Sequence, residues 1–406
     1  MNVPERKKLP HLYYLNTLFD LSLGGYNTKK LAKTAAEMSC LFMALGTSRD
    51  KIILDVTVSD EYIKYLTSSG IDCPQVLSDN ERCDGFIADP WGWDEKVTER
   101  FTKAGAGCSN PDTAVVKKVN SHYFSYLFNK KTGTGVPGAQ CCASKDELIE
   151  TLKSWKQFPL VIKPEFGNVG YGFIHKKDPV LSYRELKKVA ILFKAGKHVI
   201  VEPWLNRLTD ISSRCLIDRE GTITGIRHHQ GLSNSVGKFY ADLIDPKDKL
   251  IAKWRKILDN AVLTCAKELF RAGYFGPVGF DSITWQDESG KENLATIIEI
   301  NARHPVSSMA YAVHDKLAPD RVTMFIFVSN KKLTLPENYK TLLKKLGDYA
   351  FSGSEKRGVI LITPLRACYK NLRWIQPERS VFFLAEQTKE KVQELENNLY
   401  KILSDK

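Results

Sequence analysis

The stretch Phe158-Pro-Leu-Val-Ile-Lys163-Pro-Glu-Phe-Gly167-Asn-Val-Gly170-Tyr-Gly172-Phe-Ile-His-Lys-Lys-Asp178 decides how this chain is read. A short β-rich run, Leu160-Val161-Ile162, delivers Lys163, and three glycines follow before a second apolar pair, Phe173-Ile174. Glycine lets backbone N–H groups turn toward an anion, and a lysine nearby supplies a point charge for phosphate oxygens. A nucleotide phosphate is therefore the first expectation. A dinucleotide fingerprint would have the glycines open a helix, whereas Gly172 runs into another apolar pair and then Lys176-Lys177-Asp178-Pro179, as a hairpin tip would. A Walker loop ends in Gly-Lys-Ser/Thr, and a protein kinase carries its lysine after the glycines; neither pattern is present. An ordinary glycine-rich hairpin beside a surface lysine would look the same, so the rest of the chain must decide.

With 406 residues the chain suits two or three packed domains. Arg6-Lys7-Lys8 has no apolar run behind it of signal-peptide length, and no segment approaches the ~20 apolar residues of a membrane span. The nine cysteines include no Cys-x-x-Cys pair, which argues against a disulfide framework or a zinc site and for a reducing cytoplasm. The net charge of +12 raises nucleic acid as a partner, but the basic residues are interleaved with acids, with no basic run of five. The surplus fits nucleotide phosphates and an anionic substrate better.

From Leu12 to about Ser109 helix and strand patterns alternate, with a helix over Thr28 to Leu45, a strand over Lys51 to Val56, a helix over Asp60 to Ser68 and a strand over Asp84 to Asp89. The loop Pro90-Trp91-Gly92-Trp93 stands where ligands gather in an open α/β sheet, although a tryptophan pair more often packs. One helix is expected from Thr113 to Phe128, with Lys117, Lys118, Asn120 and His122, and another from Ser144 to Trp155 with a capping box to Glu147. After a helix over Ser182 to Phe193, the run His198-Val-Ile-Val-Glu202-Pro203-Trp204-Leu205 makes a strand that stops at proline and exposes backbone groups to an adenine edge. The segment His228 to Lys238 reads as a polar active-site loop, and its paired histidines lack a third metal ligand at useful spacing.

A long helix, Leu250 to Ala272, feeds two antiparallel strands carrying Asp281 and Glu299-Ile-Asn301-Ala-Arg303. Glu299 and Asn301 are two apart and share a strand face, with Asp281 on the partner strand. Two carboxylates and an amide oxygen suit Mg²⁺ that also holds nucleotide phosphates. The flanking Ile297, Ile298 and Ile300 mark a buried strand, where unpaired carboxylates would cost too much for a merely polar face. Toward the C-terminus, Gly358 to Pro364 and Ser380 to Ala385 read as strands, followed by a helix with Val392, Leu395, Leu399 and Ile402 on one face.

Lys163 with its glycine loop, Glu202 at a strand end, Asp281, and Glu299-x-Asn301-x-Arg303, in this order, resemble the ATP-grasp superfamily over about residues 110–304. The resemblance implies an α/β (α+β) architecture: a Rossmann-like N-terminal α/β domain (1–109), an ATP-grasp domain (110–330) with a lid at about 135–203, and a small C-terminal appendix (331–406). It implies that Lys163 contacts the α/β-phosphates, that Gly167, Gly170 and Gly172 close over them, and that Glu202, Pro203, Trp204 and Leu205 hold adenine. By the same resemblance Asp210 is placed for the ribose, Asp281, Glu299 and Asn301 bind Mg²⁺ (or Mn²⁺), and Arg303 faces the transferred phosphate and acyl group. Members usually carry a second nucleotide lysine before the hairpin; His122 continues that segment here, with Lys117 or Lys118 as substitutes. Glutamate is common among members where this chain has Asp281. The Pro-Trp-Gly-Trp loop and the C-terminal appendix look more like the peptide ligases of the pheganomycin type than like carboxylases.

The implied activity is ATP-dependent ligation of a carboxylate to an amine through an acyl phosphate, releasing ADP and phosphate, on an amino acid or short peptide. Arg303, with Arg214, would stabilise the tetrahedral oxyanion. The expected partners are these small molecules, with neither nucleic acid nor membrane, and a homodimer as the possible assembly. A kinase using the same nucleotide site, or a nucleotide sensor without turnover, are the alternatives.

Overall fold

The computed structural model describes residues 9–78, 80–167, 172–234, 237–369 and 373–404. The chain divides into two compact units, one drawn from 1–17, 31–110 and 306–406 and the other from 18–30 and 111–305.

In the first unit, four parallel strands lie in the order Gln75–Val76, Lys51–Ile53, His11–Tyr14, Ile87–Pro90. The helix Asp60–Ser68, capped by Ser59, returns the chain from Lys51–Ile53 to Gln75–Val76, and Glu95–Ala104, capped by Asp94 and ended by Gly105 in the left-handed region, follows the last strand. This is the α/β arrangement that the alternation of helix and strand patterns implied. The segment expected as one helix over 28–45 is instead three short helical pieces, Lys29–Leu31, Ala32–Met38 and Ser39–Ala44. The strand read through Val56 stops at Ile53, and Val56–Thr57 pairs with Ala367–Tyr369. Trp91 is buried against Phe42 and Trp93 packs on Phe101, so the tryptophan loop serves this unit's packing. The expected C-terminal appendix belongs to this same unit. Its strands Gly358–Leu361 and Arg379–Glu386 pair antiparallel with each other and with Val322–Ser329, and the closing helix Lys389–Leu403 buries Val392, Leu395, Leu399 and Leu403. Leu403 occupies the place read for Ile402 because the 3.6-residue period carries the stripe one position on.

The second unit has two sheets. In the smaller, Leu160–Pro164 lies between Ile174–Lys176 and Val199–Pro203, both antiparallel to it, and Gln140–Cys142 forms the outer edge beside Val199–Pro203. Helices Lys145–Ser154 and Tyr183–Ala195 close its apolar face over Leu148, Leu152, Val189 and Leu192. The strands flanking the glycine-rich stretch thus pair antiparallel, as the flanking apolar pairs indicated, while residues 168–171 lie outside the described residues. The larger sheet runs Glu292–Asn301, Gly276–Gln286, Asn206–Ile217, Ile223–Ser233, Phe239–Ile244, each strand antiparallel to the next. The long helix Lys249–Arg271 packs on one face through Ile251 and Leu258 against Ile211. The other face carries the site.

Two expectations are corrected here. The helix read from Thr113 to Phe128 is two helices, Thr113–Val119 and His122–Thr132, because Ser121 adopts an extended backbone and its hydroxyl accepts the Phe124 N–H as a new N-cap. The segment read as a loop from His228 is, through Ser233, part of the strand Ile223–Ser233; its polarity arises because both sheet faces here are buried and hydrogen-bonded.

Candidate active site

Lys163 arrives on a strand whose five residues are all buried, and its Nζ stands 2.6 Å from Glu202 Oε2 on the neighbouring strand. The two side chains are 10% and 11% exposed, so this is an ion pair largely removed from water. The Phe173 ring lies 5.8 Å from the same ammonium. Glu202, expected at the adenine hinge by its backbone, also holds the lysine with its carboxylate. Beyond it Pro203 pairs with Leu160, Trp204 N–H donates to the Pro159 carbonyl at 2.8 Å, and Leu205 is buried with Val136, Ile283 and Ala295. Gly172 has φ of 85°, a conformation that favours glycine. Gly170 lies outside the described residues.

Lys117 and Lys118 are exposed at the end of the preceding helix, and the Lys117 ammonium lies 5.5 Å over the Phe166 ring. The buried position near the site belongs to His122. Its backbone N–H donates to the Glu165 carbonyl, its Nδ1 bonds the Pro164 carbonyl at 2.5 Å, and its Nε2 lies 3.7 Å from Glu299 Oε2. Burial alone would lower the His122 pKa, but the nearby Glu299 carboxylate carries it upward overall.

The metal-ligand candidates do converge. Register places Asp281 between Ser212 and Glu299, and Gly279 between Arg214 and Asn301, on one face of the sheet. Asp281 accepts from Ser212 Oγ at 3.1 Å and from Asn301 Nδ2 at 3.2 Å. Burial, then the facing charge of Glu299, pushes the Asp281 carboxyl up to about 7. Burial also acts upward on Glu299, yet His122, Lys163 and Arg303 hold it below its ordinary value. Two facing carboxylates with one forced toward its protonated form are a site short of positive charge, which fits a divalent cation. Among the described residues no group of three His, Cys, Asp or Glu side chains is arranged to hold a metal alone. The donor set, two carboxylates and an amide, leaves coordination positions for phosphate oxygens and water.

Asp210 lies on the same face and is ion-paired to Arg207 at 2.6 Å. Arg214 shares that face, directly opposite Arg227. Arg303 is buried and heavily engaged: Nε bonds both oxygens of Asp20 at 2.8 and 3.0 Å, one terminal nitrogen donates to Asn301 Oδ1 at 2.8 Å and the other to the His304 carbonyl at 3.1 Å. Asp20 was not legible in the sequence, since no local pattern links positions 283 residues apart. His228 and His229 point to opposite sheet faces, as strand neighbours must. His228 bonds Ser213 Oγ and Asp259, while His229 bonds Asp242 at 2.8 Å. They share no metal.

A cavity of about 300 Å³ opens beside this constellation, lined by His122, Ser125, Asn129, Lys163, Glu202 and Ile298 among others. No local pattern marked Asn129, although the capping serine at 121 would have exposed the start of its helix.

Neither a protein-family model nor a curated protein sequence matches the chain. Solved structures do. N5-carboxyaminoimidazole synthetase from Staphylococcus aureus, complexed with ADP, aligns with a TM-score of 0.52 at 12% identity over 99% of this chain and 100% of that one. The fold is the ATP-grasp fold. Two further ATP-grasp structures agree. The biotin carboxylase domain of Hydrogenobacter thermophilus 2-oxoglutarate carboxylase, complexed with MgADP, ADP and bicarbonate, gives a TM-score of 0.57 at 13% identity, covering 96% of this chain and 89% of that one. Campylobacter jejuni biotin carboxylase, in a β,γ-ATP complex, gives 0.56 at 11% identity, covering 95% and 89%. At these identities the similarity carries the ATP-grasp architecture and leaves the reaction to the site.

Proposed function

We propose that this protein is an ATP-dependent carboxylate–amine ligase that joins an amino acid or short peptide to an amine through an acyl phosphate, releasing ADP and phosphate. The observation that carries the reading is the pairing of Asp281 with Glu299 across two strands, with Asn301 beside them and Lys163 within electrostatic reach of Glu299. A divalent cation held by Asp281, Glu299 and Asn301 would neutralise phosphate charge. Neighbours of this fold were solved with ADP and MgADP, which supports ATP and Mg²⁺ as the co-substrate and ion.

The chain's own residues divide the work. Lys163 exchanges part of its pairing with Glu202 for phosphate oxygens, and the Gly167 to Gly172 hairpin covers them. Glu202 to Leu205 offer backbone groups to the base, and Asp210 takes the ribose. Arg303, oriented by Asp20, and Arg214 present positive charge where the acyl oxygen becomes an oxyanion as the amine attacks and phosphate leaves. Closure of the hairpin keeps water from the acyl phosphate. Lys117 supplies a peripheral cation for the nucleotide. The Pro-Trp-Gly-Trp loop and the run Gly358 to Pro364 resemble the peptide ligases of the pheganomycin type more than carboxylases, which supports that branch.

The test is mass spectrometry of products after incubation with Mg²⁺, ATP and pooled amino acids and dipeptides, with ADP and AMP quantified. A condensed product with stoichiometric ADP is expected; ADP without condensation, or AMP, would overturn the reading.

A further inference from the structure

The strand bearing Glu299 contains a backbone irregularity that ordinary sheet pairing does not require. Ala295 pairs with Ile283 and Glu299 with Asp281, so three residues, 296–298, stand opposite Ser282 alone. Ile297, at the middle of this bulge, has φ of 55° although it is β-branched and 1% exposed. A β-branched residue in the left-handed region is strained, and it persists only where the surroundings over-determine it. Bulges re-aim the side chains beside them.

Two hydrogen bonds hold it in place. Asn129 Nδ2, from the helix His122–Thr132, donates to the Ile297 carbonyl at 2.9 Å, and the Ile297 N–H reaches Ser282 Oγ at 3.4 Å. Asn129 is itself oriented: its Oδ1 accepts from Thr134 Oγ1 at 2.9 Å, and its backbone carbonyl accepts the Thr134 N–H. Gly135, with φ of 81°, follows closely, and a Cβ there would lie 2.5 Å from Asn129 Nδ2, so only glycine lets the loop wrap this amide. The bulge has two consequences, at the adjacent residues Ile298 and Glu299. It brings Ile298 into the cavity wall beside Lys163 and Glu202, and it resumes the ladder so that Glu299 faces Asp281.

We infer that Asn129 is a positioning residue: through the Ile297 carbonyl it sets the spacing of Glu299 against Asp281, and so the affinity for a divalent cation carried by a nucleoside diphosphate. The inference rests on the nucleotide and metal assignment proposed above. Asn129 acts through the Ile297 carbonyl rather than as a metal ligand.

The test is calorimetric titration of the full chain with ADP, with and without Mg²⁺, for the wild type, Asn129→Ala, Asn129→Asp and Thr134→Ala. Asn129→Asp retains the acceptor for Thr134 and replaces the donor to Ile297 with a carboxylate oxygen that the carbonyl repels. Both Asn129 variants should lose about tenfold in affinity for MgADP while changing less than about twofold toward ADP alone, and Thr134→Ala should stay within about twofold for both. Thermal melting identifies any variant that fails to fold, in which case Asn129→Asp replaces Asn129→Ala as the decisive comparison. Equal MgADP affinity in Asn129→Asp and wild type overturns the inference, as does an equal loss toward ADP with and without Mg²⁺. A wild type that binds no MgADP overturns the underlying assignment instead.

Discussion

Lys163 Nζ and Glu202 Oε2 lie 2.6 Å apart on adjacent antiparallel strands, with both side chains about nine-tenths removed from water. Neither charge can be deleted alone without stranding the other. Lys163→Met should cost about 3–5 kcal/mol by leaving a buried carboxylate unpaired, whereas the Lys163→Met, Glu202→Gln double variant should recover most of that loss. Nucleotide binding should be abolished in both. Chemical denaturation alongside ADP titration checks the two readouts separately.

Glu299 faces Asp281 and its carboxylate lies 3.7 Å from His122 Nε2. Glu299→Ala should fold, since it removes one of two facing carboxylates, and should lower turnover by at least about 100-fold, the scale of losing one preorganised electrostatic contact. Unchanged ATP turnover in a steady-state assay would remove Glu299 from the site.

Asp20 holds Arg303 through two bonds, both groups being buried. Asp20→Ala should therefore destabilise by about 3–5 kcal/mol, a cost seen in the urea midpoint. Asp20→Asn retains one acceptor and should cost less, while lowering kcat more than the KM for ATP, because the arginine's aim matters at the acyl centre.

The Asp281 carboxyl is raised from 3.8 to about 7 in the fold. The native state therefore binds the extra proton, so this group's contribution to stability is full below about pH 4 and is lost as pH rises toward 7. Metal-free protein should show a falling melting temperature across that window, from this group, and Asp281→Asn should flatten it. Added Mg²⁺ should restore stability most at the alkaline end.

Ser182 and Glu185 form a reciprocal capping box at the start of the helix Tyr183–Ala195, and Glu185 also pairs with buried Lys176. Ser182→Ala should cost about 1 kcal/mol, and hydrogen exchange should localise the loss to that helix.

Local periodicity made the hairpin and the paired strands legible from the residues alone. The apolar pairs flanking the glycines made a hairpin, and the two-residue spacing of Glu299 and Asn301 set them on one strand face, because pleat periodicity is local. The alternation from 11 to 104 was likewise readable as α/β. What tertiary structure alone decided lies in contacts between segments far apart in the chain. Asp20 meets Arg303, His122 meets Glu299, and Asn129 reaches Ile297, each by long-range packing that no window of sequence encodes. The break at Ser121 and the split of His228 from His229 fall between these extremes. A capping hydroxyl and a strand's two faces are local facts, but whether the chain is helix or strand at those points is set by what it packs against.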